Sequence, residues 1–442
     1  MTQGMEKLLH YVWKHRMFPL DGFRTEDGQV VEVLDVGLHN ADAGPDFFNA
    51  KVRIGSQVWA GNVELHMKSS QWYQHGHHKD SAYDNVVLHV TSEIDSDVVN
   101  SRGEKLPQIK LEIPSSLQSD YEHLLTEDRY PRCFRIIPAL PKFTLHSWLS
   151  ALQTERLERK TEDILKRLSR CNGSWEDAFF QTLARNFGFG VNTDAFEVWA
   201  GHIPLTAVDH HRDDLFQIES IFIGQAGLLC VDAYPERHRQ AISEDEYFLR
   251  MKSEYDYLAH KFSLQPMDSQ MWRFLRLRPQ NFPTVRLSQL ATLHYNRKAD
   301  FSHILECTST DQIATALQTQ ATDYWQTHYV FGEQSARSGK HLSRSSVDVL
   351  IINTVIPIIF AYGKYTSNSQ LVNRAIDLME ELKAENNNIV RMWHECGLDV
   401  KSASDTQALI QLKKEYCDRK DCLRCRIGYQ YLKAGSTVSH LK

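Results

Sequence analysis

The chain has 442 residues, 42% hydrophobic and 24% charged, with a formal net charge of −6. That length exceeds one compact core and predicts two or three domains. The acidic balance excludes a global drive toward nucleic acid, so any polyanion must find a local basic patch.

In chain order, the first residues, MTQGMEKLLHYVWKHRMF, lack a continuous apolar run and a small-residue cleavage site, so no signal peptide is expected. Met5, Leu8, Leu9, Val12 and Trp13 recur at helical spacing and predict an amphipathic helix over 5–16. Strands are predicted at Val30–Val36, Phe47–Ile54, Val58–Met67, Val86–Thr91 and Ile109–Ile113, from β-branched content between Gly, Asn, Asp and Pro turns. SSQWYQHGHHKDSAY, between the third and fourth, predicts a short helix begun by Ser69 or Ser70. From Pro141 the periodicity turns helical: Leu145–Arg170, Trp175–Phe187, Asp194–Ala200, Asp213–Leu229, Glu244–Phe262, Asp311–His328, Ser346–Tyr362, Ser369–Glu385 and Asp405–Tyr416. The longest apolar run, Val347 to Tyr362, is interrupted by Asp348, Asn353 and Pro357 and is expected to be a buried core helix too short to span a bilayer. A cytoplasmic protein with no membrane partner is the expectation.

The densest chemistry lies in residues 44–68, GPDFFNAKVRIGSQVWAGNVELHMK. Alternation along a strand puts Val63, Leu65 and Met67 on one face and Glu64, His66 and Lys68 on the other. A Pro-Asp turn at Asp46 followed by Glu64 on the next strand can bring two carboxylates together, as divalent-metal phosphodiesterases require. Residues 45–68 resemble the PD-(D/E)XK nuclease motif, and the order helix, three strands, helix, strand is similar to that family's core. The resemblance implies a restriction-endonuclease-like α/β domain in which Asp46 and Glu64 bind Mg²⁺ or Mn²⁺ and the Leu65 carbonyl lends a ligand. It also implies a helix-borne acid at Glu6 and catalytic groups at His66 and Lys68, His66 standing where the family has its lysine. Over most of its length the chain also resembles an uncharacterised bacterial family carrying the NADAGPDF, GNVELH, HGHHKDSAY and VVLHV stretches and a cysteine cluster at its tail.

Beside the motif, His75 and His78 (i, i+3) share a helix face, and His89 points away from its strand's apolar face. Together they form a candidate active-site wall, set against a reading as core-satisfied or solvated histidines. His39 and Asn40 are weaker candidates of the same kind.

Of eight cysteines, the last four crowd the final fifty residues, and in a reducing compartment such crowding favours a metal. Cys417-x4-Cys422-x2-Cys425, with Cys396 as fourth ligand or His394 as its alternative, suits zinc or an iron–sulfur cluster. In the middle region, Arg273, Arg276, Arg278 and Arg286 stand among Trp272, Phe274 and Phe282. They form either a nucleic-acid grip or, favoured slightly, internal anchors.

The predicted architecture is therefore α+β and multidomain: a nuclease-like α/β domain over 1–127, a helical domain over 142–395, and a cysteine-bearing segment over 396–442. Three functions compete: a Mg²⁺- or Mn²⁺-dependent nuclease, a catalytically silent nucleic-acid-binding or scaffold protein of the same fold, and a His-rich metalloenzyme on a small molecule.

Overall fold

A computed structural model of the chain describes residues 2–18, 22–275 and 277–439. The protein divides into two compact units, one of residues 1–145, 395–398 and 413–442, the other of residues 146–394 and 399–412. The cysteine-bearing tail, expected as a separate segment over 396–442, is divided between them: residues 396–398 and 413–442 belong to the first unit and 399–412 to the second.

The first unit is built on one mixed sheet. Helix α1 (Thr2–Lys14) buries Leu8, Leu9, Val12 and Trp13, the apolar stripe its sequence predicts, and Trp13 Nε1 donates to the Val36 carbonyl at 3.1 Å. The strands are β1 (Phe23–Arg24), β2 (Val30–Asp35), β3 (Leu38–His39), β4 (Phe47–Ile54), β5 (Gln57–Lys68), β6 (Val86–Glu93) and β7 (Gln108–Lys110). Their order is β1-β2-β4-β5-β6-β7, with β3 pairing onto β4. β2, β4 and β5 run antiparallel, whereas β5, β6 and β7 are parallel. The direction switches after β5 because parallel neighbours need a crossover. Here the crossover is helix α2 (Gln71–Gln74) and two 3₁₀ turns, pinned by buried Trp72, whose Nε1 donates to the Val99 carbonyl at 2.8 Å.

β5 is buried over four successive residues, Val63, Glu64, Leu65 and His66, so its polar face lies inside the fold. Gly61 permits the close approach of the β6 entry: a Cβ there would stand 2.3 Å from Val87 Cγ1 and 2.7 Å from the Asn85 carbonyl. After β7, helix α3 (Ser115–Thr126) packs with the C-terminal helix Arg426–Ser439, where Tyr431 Oη and His123 Nδ1 meet at 3.1 Å. The same helix brings Tyr429 against His15, just past the end of α1, ring centroids 4.9 Å apart.

Among the described residues, the second unit is helical apart from a two-stranded ribbon, His328–Val330 with Glu333–Gln334. Lys142–Arg170, Trp175–Phe187, Thr193–Gly201, Leu215–Gln225 and Glu246–Phe262 form close to where periodicity placed them. The helix expected over 311–328 stops at Ala316. Beyond it the backbone pairs sideways instead, Ala321 N–H donating to the Lys340 carbonyl (2.9 Å) and Leu342 N–H to the Thr319 carbonyl (3.0 Å). The apolar run is also longer than expected. Helix continues over Arg344–Tyr365, 22 residues that are long and apolar enough to cross a membrane by length and composition, with 72% of the most apolar window buried inside the protein. It passes through a π-helical stretch at Ile351–Val355 and packs as a core element.

Candidate metal centre

The loop before β4 is shaped to deliver Asp46. Asn40 Nδ2 donates to the carbonyls of Asp42 (3.1 Å), Ala43 (3.2 Å) and Pro45 (3.1 Å), and Gly44 takes a left-handed φ of 105°. The Asn40 amide donates to the Asp46 carbonyl at 2.7 Å, closing the loop. Asp46 and Glu64 then cross-link β4 and β5. The Asp46 amide donates to Glu64 Oε2 (3.0 Å), and the Leu65 amide donates to Asp46 Oδ2 (2.9 Å). Burial lifts both carboxyls above the ordinary carboxylate range, and the Asp46 charge, with a smaller contribution from Glu6, lifts Glu64 further. Two acids so placed favour a shared proton or a shared cation.

Around them stand histidines from three directions. His10 of α1 brings Nε2 to 3.4 Å from Asp46 Oδ2, and the Leu65 carbonyl accepts from its ring. His77 Nε2 lies 3.3 Å and His66 Nε2 3.7 Å from Glu64 Oε1, while His66 Nε2 meets His75 Nδ1 at 3.1 Å. His66, His75 and His77 can each offer a nitrogen within 4.8 Å of the other two.

The protonation of His66 is set from two strands away. Gln108 Nε2 donates to the Ser96 carbonyl (3.0 Å), so its Oε1 accepts from His89 Nδ1 (3.0 Å). His89 Nε2 is then the acceptor for His66 Nδ1–H at 2.9 Å, an assignment that follows from the network. His66 therefore aims a bare lone pair from Nε2 at Glu64 and His75. Burial, with the neighbouring His89, holds His66 neutral by pushing its pKa down to about 2; burial likewise pushes His89 to about 4. The register explains the relay: Glu64 pairs with His89 across β5–β6, and His89 with Gln108 across β6–β7.

The residues fit a metal ion. His77 Nε2 is buried without a hydrogen-bond partner 3.3 Å from Glu64 Oε1, so its lone pair can serve a cation shared with that carboxylate, while His10 Nε2, likewise without a partner, faces Asp46 Oδ2 at 3.4 Å. Imidazole nitrogens mixed with carboxylates suit manganese or zinc better than magnesium.

Several expectations are corrected. Lys68 does not reach the site: it sits at the exposed end of β5 and pairs with Glu93 (2.9 Å), its register neighbour on β6. His78 turns away to pack on Tyr73, ring centroids 4.9 Å apart, and His77 takes the inward place. His89 is a buried support for His66 rather than a wall. Glu6 acts electrostatically on His10 and Glu64. His10 escaped the sequence reading, although it stands four residues after Glu6 and so on the same helix face.

A cleft of 450 Å³ adjoins the centre, lined by Lys7, His10, Lys14, Arg419, Lys420 and Arg424 among others, with Asp421 also in its wall and paired with Arg424 at 3.2 Å. Its acid-facing edge is His10, and its cations come from α1 and from the tail. Of the arginines proposed as a grip, Arg286 is buried, bonded to Gln289 Oε1 (2.7 Å) and Asn281 Oδ1 (2.6 Å) and stacked over Phe189. Arg273 and Arg278 are exposed, and Arg276 lies outside the described residues. Among the cysteines, Cys396 is met by Arg129, whereas Cys133 stands with Cys417, Cys422 and Cys425.

Fold and site together define an α+β protein with a buried acid–histidine cluster where its sheet changes from antiparallel to parallel. The chain belongs to the family described as "Protein of unknown function (DUF2851)", whose model matches residues 6–388. The match takes in the sheet, the whole acid–histidine cluster and Cys133, and ends ahead of the tail cysteines. No curated protein and no solved structure matches the chain.

Proposed function

We propose that the protein is a divalent-metal-dependent hydrolase of nucleic-acid phosphodiester bonds. Asp46 and Glu64 are its acidic ligands, with imidazoles of His66, His75 and His77 completing the donor set. The sheet order, with Asp46 entering one strand and Glu64 on the next, accords with a restriction-endonuclease-like domain. The observation that carries the reading is the position of His10, which faces Asp46 and also lines the basic cleft. A polyanion lying along Lys7, Lys14, Arg419, Lys420 and Arg424 would bring a phosphate to the carboxylates.

A bound ion would polarise a phosphoryl oxygen and acidify a water. The chain's own part is to hold both carboxylates fixed through backbone amides and keep His66 neutral with its lone pair inward. His10, which burial keeps neutral, can accept a proton at the cleft edge. The lysine role of PD-(D/E)XK enzymes has no lysine here.

Labelled single- and double-stranded DNA and RNA, incubated with Mn²⁺, test this. Cleavage is expected, lost on Asp46→Asn or Glu64→Gln and kept on Lys68→Ala. Calorimetry showing no divalent ion bound at Glu64 would overturn the reading. Zinc binding with indifference to nucleic acid would move it to a small-molecule metalloenzyme.

A further inference from the structure

All eight cysteines carry free thiols, and four of them converge from far-separated parts of the sequence within the first unit. Burial and the neighbouring sulfurs of Cys425, Cys417 and Cys422 push the Cys133 thiol well up. Cys417 responds in the same way to Cys425 and Cys422, and Cys422 to Cys425. All six pairs among the four are therefore close enough to interact.

The backbone is arranged to keep them there. Arg132, next to Cys133, donates from Nη1 to the Cys417 carbonyl (2.8 Å) and from Nε to the Glu127 carbonyl (2.9 Å), fastening the two segments. Between Cys417 and Cys422 the chain turns through Lys420 at φ 56°, a left-handed conformation unusual for lysine. Its Nζ donates to the Leu125 carbonyl at 2.8 Å. Cys425 N–H donates to the Cys422 carbonyl (3.2 Å), and the C-terminal helix comes so close that a Cβ on Gly428 would stand 2.1 Å from that oxygen. Buried thiols that merely fill space need no such pinning and no cations, yet Arg132 and Lys420 both act on Cys422.

The sequence spacing bears on the choice of metal: Cys417-x4-Cys422-x2-Cys425 is an iron–sulfur spacing.

We infer that Cys133, Cys417, Cys422 and Cys425 bind an iron–sulfur cluster. Cys133, and not Cys396, is the fourth ligand, and the site is independent of the hydrolase reading. Its place is structural: it ties residues 125–133 to the tail and so fixes Arg419, Lys420 and Arg424 in the cleft wall.

The protein, purified without oxygen, should contain iron and acid-labile sulfide in stoichiometric amounts and show a broad visible absorption. Cys396→Ser should keep them, and Cys133→Ser should lose them at least tenfold. Should Cys133→Ser not fold, Cys422→Ser, at a half-buried position, reads the same loss. Zinc in place of iron, wild-type protein without iron and sulfide, or loss on Cys396→Ser with retention on Cys133→Ser would each overturn the inference.

Discussion

Glu64 accepts the amide of Asp46 at 3.0 Å, and the Asp46 carboxylate in return accepts the amide that follows Glu64. Each acid is thus oriented by the other's strand, eighteen residues away in sequence. The geometry is fixed by backbone amides, so the mutual repulsion of the two carboxylates is built in. That has a consequence for stability.

A carboxyl whose folded pKa is raised contributes stability below its unfolded pKa and loses it as pH rises through the folded value. Metal-free protein should therefore lose ground to Glu64→Gln as pH rises from about 5 to about 8. His66 and His89, shifted downward, act oppositely, and their contribution fades as pH falls below the ordinary histidine range; the comparison between variants cancels it. Scanning calorimetry at several pH values should show the gap in Tm widening, and Mn²⁺ should close it.

The Gln108–His89–His66 relay predicts an effect at a distance. Gln108→Leu removes the acceptor that fixes the His89 tautomer, and with it the inward lone pair of His66. Metal affinity should fall about 10–100-fold, as for other lost supports of a ligating histidine. Isothermal titration with Mn²⁺ or Zn²⁺ measures this, and Asp46→Asn provides the comparison.

Charge in the cleft is expected to set salt sensitivity. If Lys7 and Lys14 each neutralise a phosphate, their joint replacement by alanine should flatten the log–log salt dependence of duplex binding by about 2. Fluorescence anisotropy across a salt series reads this slope. An unchanged slope would remove α1 from the nucleic-acid surface.

Arg286 should behave as a core residue. Arg286→Met strands Asn281 and Gln289 and should cost about 2 kcal/mol in urea denaturation. Nucleic-acid affinity should not change.

Much of this was legible because it is local. Strands β2, β4, β5 and β6 announce themselves by β-branched runs between turns, and the approach of Asp46 to Glu64 needs only one hairpin. What escaped depends on neighbours distant in sequence. Lys68 shares the face of Glu64 and His66, yet it lies one step past the buried stretch, and Glu93 on a strand not yet formed claims it. Residues 317–322 have helical periodicity but pair with 340–342 instead. Cys133 carries no sequence signal at all, because its partners are brought to it by the fold. His77 could be told from His78 only once Trp72 and Tyr83 had fixed the turn.

The two sources of the cleft's cations set an order of events. Lys7 and Lys14 belong to the same opening stretch as the acids, whereas Arg419, Lys420 and Arg424 follow the entire helical unit. During synthesis the acids and histidines leave the ribosome long before those three cations do. A nascent chain short of residue 413 therefore carries the whole acid–histidine cluster but only Lys7 and Lys14 of these five cations.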